Sequence, residues 1–282
     1  MARVRGETVD VLARAESPQS LIITIYGAYS RPLGGWMAVS SLLELLRSLG
    51  VEDAASRSAL SRLKRKEVLI AERRDGVHGY RIGEATRRIF EIGDARVLHR
   101  RSTQHDHEWV LVTFSIPESS RDLRYRLRSR LARVGFGQVS PGLWIGPSHL
   151  ETDVRHVIER LEITEFVQLF TGEYLGFAAT KEAVRHWWDL AELAMVYDEF
   201  VDAYRPMSRS WARASRIDAE SAFVDYTQVL TSWRPIPYLD PGLPDDLLPT
   251  RWPGHVAADV FFGLRDRLAR PAAQHVTRIA RN

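Results

Sequence analysis

Residues 52–81 constrain the fold of this chain more than any other segment, because a short amphipathic helix leads directly into a hairpin signal. Asp53 is placed to cap the helix, and Ala55, Ala59 and Leu63 recur at four-residue spacing, which predicts a narrow apolar inner face. Residues 68–74 and 80–82 are rich in strand-forming side chains and flank the five-residue turn segment 75–79. The segment therefore predicts a helix that packs against a two-stranded hairpin.

The elements expected before this segment complete a recognisable order. Residues 20–27 are compact and apolar and predict a first helix, and residues 36–39 predict a short strand. Leu42, Leu45, Leu46 and Leu49 give the next helix an apolar stripe, and Gly50 is placed to end it. The order helix, strand, helix, helix, hairpin is that of a winged helix-turn-helix, a fold that reads duplex DNA.

The side chains predicted to be exposed on this module suit DNA. Arginine pairs bidentately with guanine, serine reaches bases or phosphates, and the tip of a wing meets phosphates or a minor groove. An ordinary solvated helix beside a hairpin is the alternative, and the order of the elements favours the DNA reader. The predicted DNA-binding residues are Arg57, Ser58, Ser61, Arg62 and Arg65 on the helix, with Arg73, Arg74 and His78 near the wing tip.

The charge of the chain is unevenly distributed. The formal net charge of the 282 residues is +3, but residues 1–101 carry 18 Lys and Arg against 12 Asp and Glu, which gives +6. Residues 102–178 give 8 − 10 = −2, and residues 179–282 give 13 − 14 = −1. The positive charge thus lies with the predicted DNA reader, as phosphate binding requires. The absence of cysteine excludes disulfides and thiolate chemistry, and the lack of a long apolar run predicts a cytoplasmic protein.

The rest of the chain predicts two further domains, so that the fold class is multidomain α+β. After a polar linker at 102–108, segments 109–116, 119–134, 136–145, 148–161 and 166–170 give the order βαββαβ of a ferredoxin-like domain. From Lys181 the pattern is helical, interrupted by the proline-rich segment 238–255. The predicted domains are a DNA-binding domain with a linking helix at 18–101, a ferredoxin-like domain at 108–178 and an all-α domain at 179–282.

Several motifs together resemble the PaaX family of bacterial repressors, over nearly the full length of the chain. The N-terminal ones are Ser20-Leu21-Ile22, Tyr26-Gly27, Gly34-Gly35-Trp36 and Arg57-x-Ala59-Leu60-Ser61-Arg62-Leu63. The most distinctive one is Asp240-Pro241-x-Leu243-Pro244-x-x-Leu247-Leu248-Pro249-x-x-Trp252-x-Gly254-His255. Others are Gly135-Phe136-Gly137 and Tyr197-x-x-Phe200, which runs into Arg205-Pro206.

The resemblance implies a homodimer that represses transcription, controls phenylacetate catabolism or a related pathway, and leaves its operator when it binds an acyl-CoA such as phenylacetyl-CoA. It also implies that the middle domain looks like the ferredoxin-like endonuclease of CRISPR spacer acquisition. Among the helix residues it points to Arg57, Ser61 and Arg62, and it places Tyr80 in the slot of an aromatic that follows the wing turn. The wing of this chain is less basic than is usual in the family.

An acyl-CoA effector requires cations for its phosphates and an apolar slot for its acyl group. Arg205, Arg234 and His255 are candidates for the first role and Trp252 for the second. The alternative is that the tryptophans of this region belong to the core and that His255 braces a loop.

No catalytic residue, metal site or cofactor is predicted, and the chain is not expected to be an enzyme. A metal-dependent nuclease in the middle domain is the alternative, but it would need carboxylates where the first strand ends, and the chain has Phe114-Ser115-Ile116-Pro117 there, followed by Glu118. His105 and His107 are a weak metal pair in a polar linker. The arginine series from 121 to 130 reads as a solvated helix face or as a phosphate-tracking one. A DNA-binding regulator without any ligand is a third possibility.

Overall fold

A computed structural model describes residues 17–99 and 108–281, which form two compact units. The N-terminal unit contains residues 17–99, 197–234 and 254–281. The central unit contains residues 108–196 and 235–253. Each unit therefore combines segments from separate parts of the chain. The division into three consecutive domains remains a prediction from the sequence.

The first part of the N-terminal unit has the order of elements predicted from the sequence. Its three strands form an antiparallel sheet in the order β1-β3-β2. The bounds are α1 Pro18–Ile25, β1 Trp36–Ala38, α2 Val39–Ser48, α3 Asp53–Arg65, β2 Leu69–Arg74, β3 Val77–Ile82 and α4 Glu84–Leu98.

Helix α1 fixes the sheet to the rest of this module. The Ser17 hydroxyl accepts a hydrogen bond from the Ser20 amide (3.2 Å), and Pro18 occupies the first turn, where its missing N–H costs nothing. The chain continues past α1 as a π-helical turn, Tyr26–Ser30. The Tyr26 hydroxyl donates to the backbone carbonyl of Tyr80 on β3 (3.0 Å), and burial raises the pKa of the Tyr26 phenol.

The start and the inner face of α3 differ from the sequence prediction. Asp53 does not cap the helix: it lies in the first turn, and its carboxylate accepts two hydrogen bonds from Arg47, at 2.8 and 3.2 Å. Ala55 is exposed rather than buried. A four-residue step advances about 40° beyond a full turn of an α-helix, so a stripe spaced by four drifts off the buried side. The buried residues of α3 are Ser56, Ala59, Leu60 and Leu63.

The central unit contains a four-stranded antiparallel sheet in the order β5-β6-β4-β7. One face of the sheet packs on two helices through a core that includes Val110, Val112, Leu127, Leu131 and Val154. The order βαββαβ predicted from the sequence is observed. The bounds are β4 Trp109–Phe114, α5 Arg121–Arg133, β5 Gly137–Ser140, β6 Leu143–Pro147, α6 Glu151–Leu161 and β7 Val167–Gly172, with α7 Thr180–Trp187 after the sheet.

The C-terminal region is helical, as predicted. Its helices are α8 Leu190–Arg213, α9 Ala219–Trp233, the short α10 Ile236–Leu239 and α11 Pro253–Arg281. The first and last of these continue through Pro206 and Pro271, respectively. None of the helices in residues 17–99 and 108–281 is both long and apolar enough to cross a membrane.

Helices α9 and α11 complete the core of the N-terminal unit. The buried Tyr29 hydroxyl lies 3.0 Å from the Thr227 hydroxyl, and the Tyr29 ring packs on Phe223 with centroids 5.6 Å apart. The Thr231 hydroxyl donates to that of Thr24 (2.8 Å). The C-terminal helices are thus bonded to the module that contains α3.

Candidate nucleic-acid interface

Helix α3 presents the polar face that the sequence predicted. Its five candidate residues are all exposed, and their positions i, i+1, i+4, i+5 and i+8 form one stripe opposite the buried side chains. Helix α2 precedes α3 closely, so that the pair has the spacing of a helix-turn-helix. The stripe consists of Arg57, Ser58, Ser61, Arg62 and Arg65.

Arg62 lies at the centre of this stripe and bonds to its own helix. Its Nη2 donates to the Ser58 hydroxyl (2.9 Å), and its Nε makes a longer contact with the Ser58 carbonyl (3.4 Å). Both groups are exposed, so exchanging these bonds for bonds to a base or a phosphate leaves no buried polar atom without a partner. The guanidinium is therefore available for DNA.

The carboxylate of Asp53, in the first turn of α3, is paired within the protein. The bidentate hydrogen bonds from Arg47 lower the pKa of Asp53, and the positive charge of Arg57 acts in the same direction. The aspartate stays ionised and paired at neutral pH. It therefore adds little repulsion toward a phosphate at this end of the helix.

Two exposed residues at the start of α3 were missed by the sequence reasoning. Ala54 and Ala55 are both solvent-exposed. The N-terminal residues of a recognition helix commonly reach base edges, and an alanine methyl can contact the methyl group of thymine. They were missed because small apolar side chains are easily assigned to the core. Their position in the first turn of the helix is the signal that could have revealed them.

The hairpin has a tighter turn than the sequence predicted. Only Asp75 and Gly76 lie outside the strands, with φ values of 47° and 83°, as a two-residue hairpin turn requires. His78, predicted in a five-residue loop, belongs to β3 and pairs with Arg73. The Arg73 Nε donates to the Gly76 carbonyl (2.8 Å) across the turn. Arg73 and His78 remain within two residues of the turn, and both are exposed.

The two arginines of the wing point to opposite faces of the sheet. Directly paired residues of antiparallel strands share a face, so the Arg73–His78 pair lies on the side of the buried Leu69–Ile82 pair, against which the helices pack. Arg74 lies on the other side. Tyr80 shares the face of Arg73 and His78 and is half-buried.

The outer face of the wing restrains Arg74. The Arg74 Nε donates to the carboxylate of Glu72 (2.5 Å), which also pairs with Arg81 (3.0 Å). The Arg74 guanidinium lies 5.4 Å from the ring centroid of Trp36. Arg73 and His78 are therefore better placed than Arg74 to act together with α3.

The predicted effector residues are divided between the two units. Arg205 and Arg234 are half-buried and His255 is exposed, and all three belong to the N-terminal unit. Trp252 is buried and belongs to the central unit. Their role in binding an acyl-CoA stays a prediction.

The residues relevant to the nuclease alternative are engaged otherwise. The carboxylate of Glu118 accepts a hydrogen bond from Arg124 (3.0 Å). Within residues 17–99 and 108–281, no group of three or more histidine, aspartate or glutamate side chains is arranged to share a metal ion. His105 and His107 lie outside the described residues.

Comparison with known proteins gives a consistent result along the chain. Residues 17–86 match a family model described as PaaX-like protein, residues 102–184 match the PaaX protein central Cas2-like domain, and residues 188–278 match the PaaX-like protein C-terminal domain. The transcriptional repressor PaaX of Escherichia coli strain K12 is 27% identical over 261 residues, which covers 91% of this chain and 82% of the relative.

The solved structures with a similar fold include the uncharacterized protein Rv0674 from Mycobacterium tuberculosis, which superposes with a TM-score of 0.56 at 20% identity. The alignment covers 93% of this chain and 99% of that one. At this identity, the similarity concerns the fold alone.

Proposed function

This chain belongs to the PaaX family, and from that premise we propose that it is a cytoplasmic, non-enzymatic transcriptional repressor that binds operator DNA. The observation that carries the proposal is the exposed stripe of arginine and serine on α3, directly after α2. The relative from Escherichia coli bears the name of a transcriptional repressor, which supports the same function here.

The topology of both sheets supports the finer fold assignments. We propose that the N-terminal module is a winged helix-turn-helix, since strand order β1-β3-β2 with α3 ahead of a hairpin is the arrangement of that fold. We also propose that the central sheet is ferredoxin-like. Numbered within that domain, its strands lie in the order 4-1-3-2, all antiparallel, with both helices on one face.

The proposed DNA complex follows from these positions. Helix α3 enters the major groove, where Arg57, Ser58, Ser61, Arg62 and Arg65 meet bases and phosphates. Arg62 exchanges its bonds to Ser58 for bonds to DNA. The wing lies beside the groove with Arg73, His78 and Tyr80 toward the duplex, while Arg74 mainly supports the outer face of the sheet.

Replacement of Arg62 with alanine tests the DNA-binding surface. We expect operator affinity to fall by about 1–3 kcal/mol, or roughly 5- to 150-fold, because one base or phosphate contact is lost. Fluorescence anisotropy with a duplex from the protein's own promoter region measures the change. Arg88→Ala is the matched control, since Arg88 is an exposed arginine on α4 outside the stripe. Equal affinities of Arg62→Ala and wild type would remove the basis of the proposal.

We further propose that the protein is a homodimer released from DNA by an acyl-CoA of the phenylacetyl-CoA type. Arg205, Arg234 and His255 would meet phosphates, and Trp252 would contribute apolar surface. The N-terminal unit contains the first three of these residues together with α3. Because α9 and α11 are bonded to the module of α3, a ligand that favours another packing of these helices would change the position of α3.

Titration with phenylacetyl-CoA tests this second step. We expect a gel shift on promoter DNA to be relieved at saturating phenylacetyl-CoA, with at least tenfold weaker operator binding, and the protein's melting temperature to rise in the absence of DNA. Free coenzyme A is the matched control for the acyl group. A specific shift that no acyl-CoA weakens, in a protein whose melting temperature none raises, would favour the ligand-independent regulator.

A further inference from the structure

Four arginines of the central unit form a cluster that the proposed site does not use. Arg126, Arg130 and Arg133 lie on α5 at positions i, i+4 and i+7, and therefore share one face of the helix. Arg160 joins them from the end of α6, which packs beside α5. All four are exposed. We refer to this set as the arginine strip.

The strip carries uncompensated positive charge. Other arginines of these helices have partners: Arg124 pairs with Glu118 (3.0 Å) and Arg155 with Glu151 (2.8 Å). The four strip residues make no ion pair with any residue in the described parts of the chain, although Asp122 and Glu159 lie on the same helices. Partial burial lowers the pKa of Arg130, and the charges of Arg160, Arg133 and Arg126 lower it further.

Packing of the domain does not account for the strip. The inner face of α5 is supplied by Leu127 and Leu131, with the half-buried Leu123 beside them, so the arginines are not needed to cover the core. Like charges at i, i+4 spacing destabilise a helix by a few tenths of a kcal/mol per pair. The arrangement costs stability in the free protein and suits an anion bound from outside.

The shape of the strip selects the class of anion. Arg126 to Arg133 spans about 10 Å along the helix axis at 1.5 Å per residue, a distance that fits several phosphates in a row rather than one. The side chains lie on exposed helix faces, whereas small ligands are usually enclosed in concave pockets. Arginine is also the side chain best suited to bidentate phosphate binding. A rod-like polyphosphate meets these conditions better than a single nucleotide does.

We propose that the arginine strip binds backbone phosphates of duplex DNA that flanks the operator, as a second DNA contact that is independent of sequence. The inference rests on the proposed function, since it takes the ligand of the strip to be the same DNA that α3 reads. The strip contributes affinity and α3 contributes base recognition. The affinity of the protein therefore depends on the length of the duplex as well as on its sequence.

The test compares a triple variant, Arg126→Gln/Arg130→Gln/Arg133→Gln, with wild type on two duplexes. One duplex contains the operator alone, and the other extends it by about two helical turns on each side. On the extended duplex we expect roughly tenfold weaker binding, and a slope of log affinity against log salt that is shallower by about 2–3, since each phosphate contact contributes about 0.9. On the short duplex we expect less than a twofold change.

The control variant removes the same charge elsewhere. Arg155→Gln/Arg185→Gln/Arg281→Gln changes three other exposed arginines and should leave affinity within twofold of wild type on both duplexes. Circular dichroism and melting temperature establish that both triple variants are folded. If both variants lose the same affinity for the extended duplex, the loss is caused by the change in net charge, and the proposal that the strip is a binding site is overturned.

Two further outcomes separate this inference from the proposed function. If wild type shows no preference for the operator, the proposed function fails, while the salt slope on a duplex of unrelated sequence still reports whether the strip binds phosphates. If the strip variant binds extended DNA with the wild-type slope, the inference is overturned and the α3 site stands. If the strip variant instead no longer binds phenylacetyl-CoA in calorimetry, the strip binds the phosphates of that nucleotide, and its assignment to DNA is wrong.

Discussion

Replacement of Gly79 with alanine is expected to lower the free energy of unfolding by about 3 kcal/mol and to disrupt the pairing of β1 with β3. A Cβ atom at this position would lie 2.4 Å from the indole ring of Trp36 and 2.5 Å from the backbone carbonyl oxygen of Met37. The oxygen belongs to the paired strand and cannot rotate away. The sheet must therefore separate locally, or the indole must leave its place over β3.

Urea denaturation followed by circular dichroism measures this effect, and Gly263→Ala provides a matched control. Gly263 lies on the exposed side of α11 in the same unit, and a Cβ there would meet nothing within 4 Å. We expect that control to be stabilised by about 0.5–1 kcal/mol, because alanine is the better helix former. A wild-type denaturation midpoint for Gly79→Ala would show that Trp36 does not pack on β3.

The same substitution also bears on the wing. Trp36 holds the Arg74 guanidinium by a cation–π contact and donates from its indole N–H to the Glu72 carbonyl (3.3 Å). Displacing the indole releases this face of the hairpin, on which Arg74, Glu72 and Arg81 interact. We therefore expect the folded fraction of the variant to bind operator DNA more weakly than wild type.

The role of Gly79 also marks a limit of sequence reasoning in this module. The order of the elements was predictable, because helical and strand periodicities are local and the Asp75-Gly76 turn is a strong hairpin signal. The register of the hairpin was not predictable: a glycine assigned to the turn is a strand residue kept small by a tryptophan about forty positions earlier in the chain. That requirement arises only once β1 and β3 are paired.

The exposed face of α3 was predicted better than the buried face of the same helix. A charged side chain on a short helix is costly to bury, so the three arginines of the stripe were assigned to the exposed side, and Ser58 and Ser61 were assigned with them because they share the same helical face. Small residues carry no such signal. Ala55 was therefore placed on the wrong side, since it is exposed, and Ser56, which was assigned to neither face, is fully buried.

Contacts between distant segments escaped the sequence reasoning altogether. Tyr29 and Thr227 are 198 positions apart, and no periodicity relates them. The sequence pattern divides the chain into consecutive stretches, whereas burial of apolar faces joins residues 17–99 to two of the C-terminal segments. An effector bound to those segments would contact helices that pack on the N-terminal module, which is the premise of the effector proposal.

Trp233 provides the strongest test of this shared core. The residue is buried, and its ring stacks on Phe261 (centroids 4.7 Å apart, planes 11° apart) and packs on Phe200 (5.3 Å). Its indole N–H donates to the backbone carbonyl of Val97 in α4 (3.1 Å). This side chain of α9 thus joins α8 and α11 to α4, the last helix of the N-terminal module.

Replacing Trp233 with alanine is expected to lower the free energy of unfolding by about 3–5 kcal/mol, because it leaves a large cavity and removes the partner of the Val97 carbonyl. Trp233→Phe is the graded control: it keeps much of the packing and loses the indole hydrogen bond, so a smaller loss of about 1–2 kcal/mol is expected.

The decisive comparison is between two signals in one urea titration of Trp233→Ala, namely operator binding and helical circular dichroism. If the N-terminal module and the C-terminal helices share one core, operator binding is lost at a lower urea concentration than in wild type, together with the first loss of helical signal. If operator binding persists to the wild-type midpoint while helical signal falls, the C-terminal helices unfold by themselves. They would then form the separate domain predicted from the sequence, and an effector bound there would need another route to α3.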